Sequence, residues 1–179
     1  MVLAKYNSSG TLQWQRALGG SNRDENIESG NPITIDSEDN IYVTGKTASE
    51  GEGSTDIFIA KYNSSGTIQW QRTLVTVGQE FDGGITIDSS GAVVYAGRTV
   101  AGAGSSDLLL ARLPSDGSLT GTYALAGYDF VYVASTLSAI TTTITGATSS
   151  HSSASASRTA GTSSFTDTGV TLTQNIIGL

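Results

Sequence analysis

Two stretches of the chain are nearly the same sentence. AKYNSSGTLQWQR runs from Ala4 to Arg16 and AKYNSSGTIQWQR from Ala60 to Arg72, differing only in Leu12 against Ile68. Catalytic motifs are rarely duplicated word for word, whereas structural units often are, and a repeat of this period restricts the chain to a few architectures. The repetition extends beyond the quoted words. ITIDSEDNIYVTGKT (Ile33 to Thr47) aligns with ITIDSSGAVVYAGRT (Ile85 to Thr99), and STDIFIAKYNSSGTI (Ser54 to Ile68) aligns with SSDLLLARLPSDGSL (Ser105 to Leu119). The unit is thus roughly 50 residues, the length expected of a repeating supersecondary module.

Each unit reads as four strands. ITID alternates Ile33 and Ile35 and ends in the turn SEDN; IYVTG places Ile41 and Val43 on one face. DIFIAKY is apolar on both faces, with Ile57 and Ile59 on one and Phe58, Ala60 and Tyr62 on the other, which predicts a strand buried on both sides. TIQWQRTL puts Ile68 and Trp70 opposite Gln69 and Gln71, the pattern of a half-exposed outer strand. NSSG and SDG are turns in which Asn, Ser or Asp folds onto the backbone and Gly10, Gly66 or Gly117 takes the positive φ. No stretch has helical periodicity. Glycine at 22 residues against 2 prolines suits many short strands joined by glycine turns. The predicted fold class is all-β, an incomplete β-propeller-like array of four-stranded blades.

These segments resemble the bacterial and phage β-propeller repeat called SBBP, over residues 2–123. The resemblance implies blades packed face to face, with Trp14 and Trp70, helped by Tyr6 and Tyr62, packing between them. The last repeat, LLLARLPSDGSLTGTY, with the Ser/Thr-rich sequence after it, resembles the C-terminal ends of phage virion proteins, those of cyanophages in particular. The tryptophan segment is also similar to the docking motif of quinoprotein propellers, A-x-D-x-x-T-G-x-x-x-W. Ala4, Gly10 and Trp14 match, as do Ala60, Gly66 and Trp70, while Tyr6 replaces the Asp and Ser9 the Thr. That motif is structural and implies no quinone; the expected cofactor is none.

MVLAKYN matches IFIAKYN, so the first blade is half present, the second complete and the third nearly so, about two and a half in all against about four to eight in a closed propeller. Open blade faces and edges are association-prone, so either the sequence is a piece of a longer repeat protein or several chains meet to supply the missing surfaces, most simply in a homo-oligomer or through cover by other proteins. The expected division is a propeller-like array over 1–123 and a Ser/Thr-rich β extension over 124–179, partly ordered in an assembly. From Gly117 onward the only charged residues are Asp129, Arg158 and Asp167.

Candidate chemistry is sparse. The net charge of −7 disfavours nucleic acid and anionic membrane surfaces, both of which need clustered Lys and Arg. The absence of cysteine removes disulfides and thiolate metal sites. The opening residues lack the apolar core of a signal peptide, and no apolar stretch approaches a membrane span. Asp24, Glu25, Asp36 and Asp39 lie in acidic loops without the spacing of a calcium loop, and read as turns and strand-end caps. Asp56 and Asp107 occupy equivalent positions before the third strand, where a turn-stabilising role is expected. EGEG and AGAG lack the helix and Lys-Ser/Thr of a phosphate loop and read as hairpin loops. His151, the only histidine, sits in SSHSSASAS without a carboxylate nearby, so no serine triad is expected and the chain reads as no enzyme. Two functions remain: a structural component of a phage particle (tail, fibre or capsid surface) contacting other virion proteins, or a carbohydrate- or host-surface-binding module in which Tyr6, Tyr62 and Gln13 contact a cell-surface glycan.

Overall fold

The computed structural model describes residues 1–26, 30–52, 54–101, 105–125 and 128–141. Contacts divide the chain into Met1–Thr145 and Gly146–Leu179; the second unit, His151 and the AGAG loop after Ala101 lie outside the described residues. Every regular element described is a strand, and among the described residues no helix is long and apolar enough to cross a membrane.

The first blade contributes β1 (Val2–Tyr6) and β2 (Leu12–Gly19). The second has an interrupted inner strand, β3 (Asp24–Asn26) and β4 (Ile33–Ile35), followed by β5 (Ile41–Thr47), β6 (Asp56–Tyr62) and β7 (Ile68–Val75). The third consists of β8 (Glu80–Ile87), β9 (Val93–Thr99) and β10 (Asp107–Leu113). All pairings within blades are antiparallel. The sheets do not close on one another, as in an incomplete propeller.

Alternation along the strands decides which blade each residue meets. Phe58, Ala60 and Tyr62 of β6, with Ile41 and Val43 of β5, form one core with Leu18 of the first blade. Ile57 and Ile59 of β6, with Tyr42, face the other way and form a second core with Ile85, Val93, Tyr95, Leu109 and Leu113 of the third blade. Each fully buried aliphatic or aromatic side chain contributes about 1.5–3 kcal/mol, so the middle blade is held from both sides. Among the described residues the flanking blades are covered on one side only. Leu108 and Leu110, the counterparts of Ile57 and Ile59, are 76% and 65% exposed.

Three expectations need correction. Asp24–Asn26, read as an acidic loop, is strand β3, paired to β5 with Asp24 opposite Thr47; its polar sequence has no alternation to announce it. The third blade has no fourth strand, because SLTGTY leads away to β11 (Gly121–Leu125), which pairs with β12 (Tyr128–Ala134) instead of β10. And β7 is not an outer strand: β12 runs beside it, Val131 opposite Val75, and β13 (Ser138–Thr141) runs beside β2, Ser138 opposite Gly19. The chain after β10 thus returns along the rim, adding β12 and beyond it β11 to the sheet of the second blade and an outer strand to the first, and dropping Leu137 into the core between them.

Candidate functional site

The duplicated phrase builds the same contact twice. The Trp14 indole donates through Nε1 to the Ser64 carbonyl at 3.1 Å, Arg16 Nε to the Gly66 carbonyl at 2.6 Å and Lys5 Nζ to the Ser64 carbonyl at 3.1 Å. One blade on, Trp70 Nε1 donates to the Ser115 carbonyl at 2.9 Å, Arg72 Nε to the Gly117 carbonyl at 2.8 Å and Lys61 Nζ to the Ser115 carbonyl at 3.4 Å. Within the NSSG turn, Asn63 Oδ1 accepts from the Ser65 and Thr67 amides and the Gly66 amide donates to the Asn63 carbonyl. The turn's amides are spent internally, leaving its carbonyls for the arriving tryptophan, arginine and lysine.

Glycine is required in this turn for two reasons. Gly66 and Gly117 have φ of 76° and 70°, a region where a side chain costs about 1–2 kcal/mol. A Cβ on Gly66 would also lie 2.6 Å from the Trp14 ring, and one on Gly117 2.8 Å from the Trp70 ring. Each tryptophan therefore lies on the turn of the next blade. Each arginine rides over its own tryptophan, 5.6 Å from the Trp14 ring centre and 5.9 Å from that of Trp70. The phrase serves as plug through Lys, Trp and Arg and as socket through NSSG, which is why all of it repeats.

A second contact between blades is acidic. Asp56 opens β6 and Glu80 opens β8, and they are 2% and 0% exposed. The Thr99 hydroxyl donates to Glu80 Oε1 at 3.1 Å, as does that of Thr76. Asp56 Oδ1 and Glu80 Oε2 are buried without a hydrogen-bond partner, so the two carboxyls share one dry junction. Burial, reinforced by the Glu80 charge, pushes the Asp56 carboxyl up to about 8; burial likewise raises Glu80. Two charged carboxylates cannot share so dry a place, so Asp56 keeps its proton at neutral pH. Paired carboxylates serve acid–base catalysis where a cleft brings substrate to them; this pair is sealed between two sheets. Asp56, expected to stabilise a turn, takes a backbone hydrogen bond from Glu52 in the β5–β6 loop and is a buried junction residue as well, because the next blade's inner strand arrives over it.

The rim strand is fastened by Glu50. Its Oε2 accepts from the Thr136 amide at 2.6 Å and from the Thr136 hydroxyl at 2.8 Å, and its Oε1 from the Thr73 hydroxyl. Gln71 Nε2 donates to the Leu137 carbonyl at 2.6 Å and the Ser135 carbonyl at 3.2 Å. Burial works to raise the Glu50 carboxyl, but hydrogen bonds from Ser135, Thr73 and Thr136 outweigh it and hold the group below its ordinary value. Replacing Glu50 by alanine is expected to cost about 1–3 kcal/mol by orphaning these donors. Amide hydrogen exchange should then accelerate along Val131–Thr141 while β5 and β6 stay protected. Acidification should loosen the same segment, since a carboxyl with a lowered folded value loses its stabilising contribution as it protonates.

The remaining expected residues fall as follows. Trp70 is 8% exposed and Tyr62 fully buried, while Trp14 is half-buried. Tyr6, expected to pack, is 57% exposed, because in the described residues no blade covers the face of β1 that carries it. Gln13 is exposed and bonds back to the Thr11 carbonyl. Gly10, Gly66 and Gly117 all take positive φ. Asp36 caps its turn, accepting from the Glu38 and Asn40 amides; Asp39 sits in that turn with φ 61°. Asp24 accepts from Thr47 and Ser49, and Glu25 pairs with Arg23 and Lys46. Asp107, opposite Thr99, is half-buried. Among the described residues no group of three His, Cys, Asp or Glu side chains is placed to hold a metal ion.

Comparison with known families agrees with this architecture. The SBBP β-propeller repeat matches residues 13–51, and a β-propeller domain of unknown function, DUF5122, matches residues 39–68 and again 89–119. The two DUF5122 segments span equivalent parts of the second and third blades, from the turn before β5 or β9 to the turn after β6 or β10. No curated protein matches the chain.

Proposed function

We propose that the chain is a non-enzymatic structural component of a phage particle, a tail, fibre or capsid-surface protein that assembles through its β repeats. One observation carries the reading. Among the described residues, the counterparts of those that seal the middle blade on both sides are exposed on the flanking blades: Leu108 and Leu110 on one, Val2 and Tyr6 on the other. A repeat needs neighbours to bury its faces, and other copies or other virion proteins are the natural cover. The resemblance of the C-terminal sequence to virion proteins points to a particle; the sealing of the acidic pair away from any cleft supports the non-enzymatic part. Mass spectrometry of purified virions is expected to detect the chain at structural copy numbers; its absence from washed particles contradicts the proposal.

Exposure of the Tyr6 ring supports a second reading, a carbohydrate- or host-surface-binding module on the same particle. A glycan array separates the two. Specific binding that disappears in Tyr6→Ala favours the module; no binding leaves the ring to protein contacts.

A further inference from the structure

The two rim strands meet their blades in the same register but with different side chains. β12 sets Tyr132 opposite Leu74, and β13 sets Ala139 opposite Leu18. Leu18 and Leu74 are 56 residues apart (74 − 18), the offset of the duplicated phrase, so Ala139 takes the place of Tyr132. Residues directly opposite one another on paired strands share a face, and Leu18 and Leu74 each face the following blade. Two residues earlier the rim strands behave alike, with Leu137 and Phe130 each filling the core of its own junction. At the next place they part. Tyr132 is 1% exposed within the larger core, whereas Ala139 is exposed. Tyr62 stands where the third blade has Leu113 and restores part of the lost volume. A cleft of about 240 Å³ remains between Arg16, Tyr62, Thr67, Ile68, Ala139 and Thr141. A cavity of about 150 Å³ already admits a benzene ring.

Two polar groups border this cleft. Tyr62 is fully buried, and its hydroxyl has no hydrogen-bond partner among the described residues; a buried hydroxyl left so is costly and calls for one. Arg16 directs Nε to Gly66, Nη1 to Gln15 and Nη2 to Ser65, the last at 3.4 Å, and all three acceptors are uncharged carbonyls. The Tyr62 hydroxyl lies within the field of Arg16, as the Tyr132 hydroxyl lies within that of Arg72. We propose that the cleft is a binding site for a phenolic ring, which enters from the rim in the place that Tyr132 fills at the next junction and sets its hydroxyl between Arg16 and the Tyr62 hydroxyl. The register names the shape of the ligand, and the two polar groups name its orientation. Thr67, Ala139 and Thr141 are exposed, so the mouth opens to solvent. A free phenol and a tyrosine side chain of another protein present the same chemistry here. The inference does not rest on the virion reading, and absence of the chain from particles would leave the site standing.

The probe is p-cresol, a tyrosine side chain without its backbone, titrated calorimetrically into the full chain, with toluene as the same ring lacking the hydroxyl. p-Cresol is expected to bind at one site, and toluene about tenfold more weakly or less. Ala139→Tyr restores from within the ring that Tyr132 provides at the other junction, so it should abolish p-cresol binding and raise the melting temperature. Tyr62→Phe keeps the buried ring and removes only the hydroxyl. Its melting temperature should not fall, while its affinity for p-cresol should drop about tenfold. A capped peptide with one tyrosine in an extended Ser/Thr sequence separates the two sources. A peptide that binds at least as tightly as p-cresol assigns the ring to a protein segment, and one that binds more weakly assigns it to a free phenol; either agrees with the site. No binding of p-cresol, binding that survives Ala139→Tyr, or toluene bound as tightly as p-cresol overturns the proposal.

Discussion

Trp70→Ala is expected to lower the stability of the array by about 3–5 kcal/mol, the range for removing a large buried aromatic. The ring is nearly sealed, meets Tyr42 edge-on with centres 6.0 Å apart, lies on Gly117, and bonds Ser115 through its indole. Its loss opens a cavity in the larger core and frees the turn of the third blade at once. Trp14→Ala should cost less, because that ring is only half-buried and belongs to the sparser core. Urea denaturation followed by circular dichroism measures both. A Trp70→Ala protein as stable as the parent, but with lost affinity for a glycan or a host surface, would make the residue a recognition group and transfer support to the binding-module reading.

The second large effect is a dependence on pH that runs opposite to that of most carboxylates. Unfolded Asp56 releases its proton near 3.8, whereas in the folded junction it keeps it to about 8. Between these values the folded state binds more protons than the unfolded one, so stability falls as pH rises. The limit for one proton is about 1.4 kcal/mol per pH unit. Asp36 and Glu50 act in the other direction. For Asp36 burial pushes upward, but bonds from Asn40, Glu38 and Tyr42 hold it below its usual value; these groups lose their contribution only on acidification below the ordinary carboxylate range. Stability should therefore be greatest in mildly acidic solution and decline towards pH 8. In Asp56→Asn an amide donates permanently to Glu80, so the decline should flatten and the variant should be the more stable protein at pH 8. Denaturation midpoints from about pH 5 to 9 decide this, and an unchanged decline in Asp56→Asn would place its origin elsewhere.

How much of this was legible before the structure varies with the range of the interaction. Blades were legible because their signals are local. Ile33 and Ile35 alternate, DIFIAKY is apolar on both faces, and Asn63 to Gly66 spells a turn whose bonds span four residues. That Trp70 packs between blades also followed from its place on the Ile68 face of a strand. What it packs on did not: nothing in SDG announces that Gly117 is a cushion for a ring 47 positions earlier, and only the repetition of plug and socket together hints at it. YDFVYVAS reads as a strand and SAITTTITG suits a thin one, but the partners of these rim strands were hidden for a related reason. SAIT and VYVA carry no signal for pairing with β2 and β7, and Thr136 reaches Glu50 across 86 residues. The Asp56–Glu80 pair was invisible because the carboxyls belong to successive repeats and meet only when the blades stack. Tyr6 repeats Tyr62 in sequence but not in surroundings, since among the described residues no blade covers it.

The account depends on each tryptophan being held by the turn of the following blade, and exchange of the two indole protons with solvent measures this directly. In the parent protein the Trp70 Nε1 proton, bonded to Ser115, should exchange orders of magnitude more slowly than a free indole, and the half-buried Trp14 proton should show intermediate protection. Gly117→Ala, which drives a Cβ to within 2.8 Å of the Trp70 ring, should collapse the protection of Trp70 and leave that of Trp14 unchanged. Two indole protons exchanging at free rates in the parent protein, or a Gly117→Ala protein with Trp70 still protected, would contradict the latch and the blade arrangement built on it.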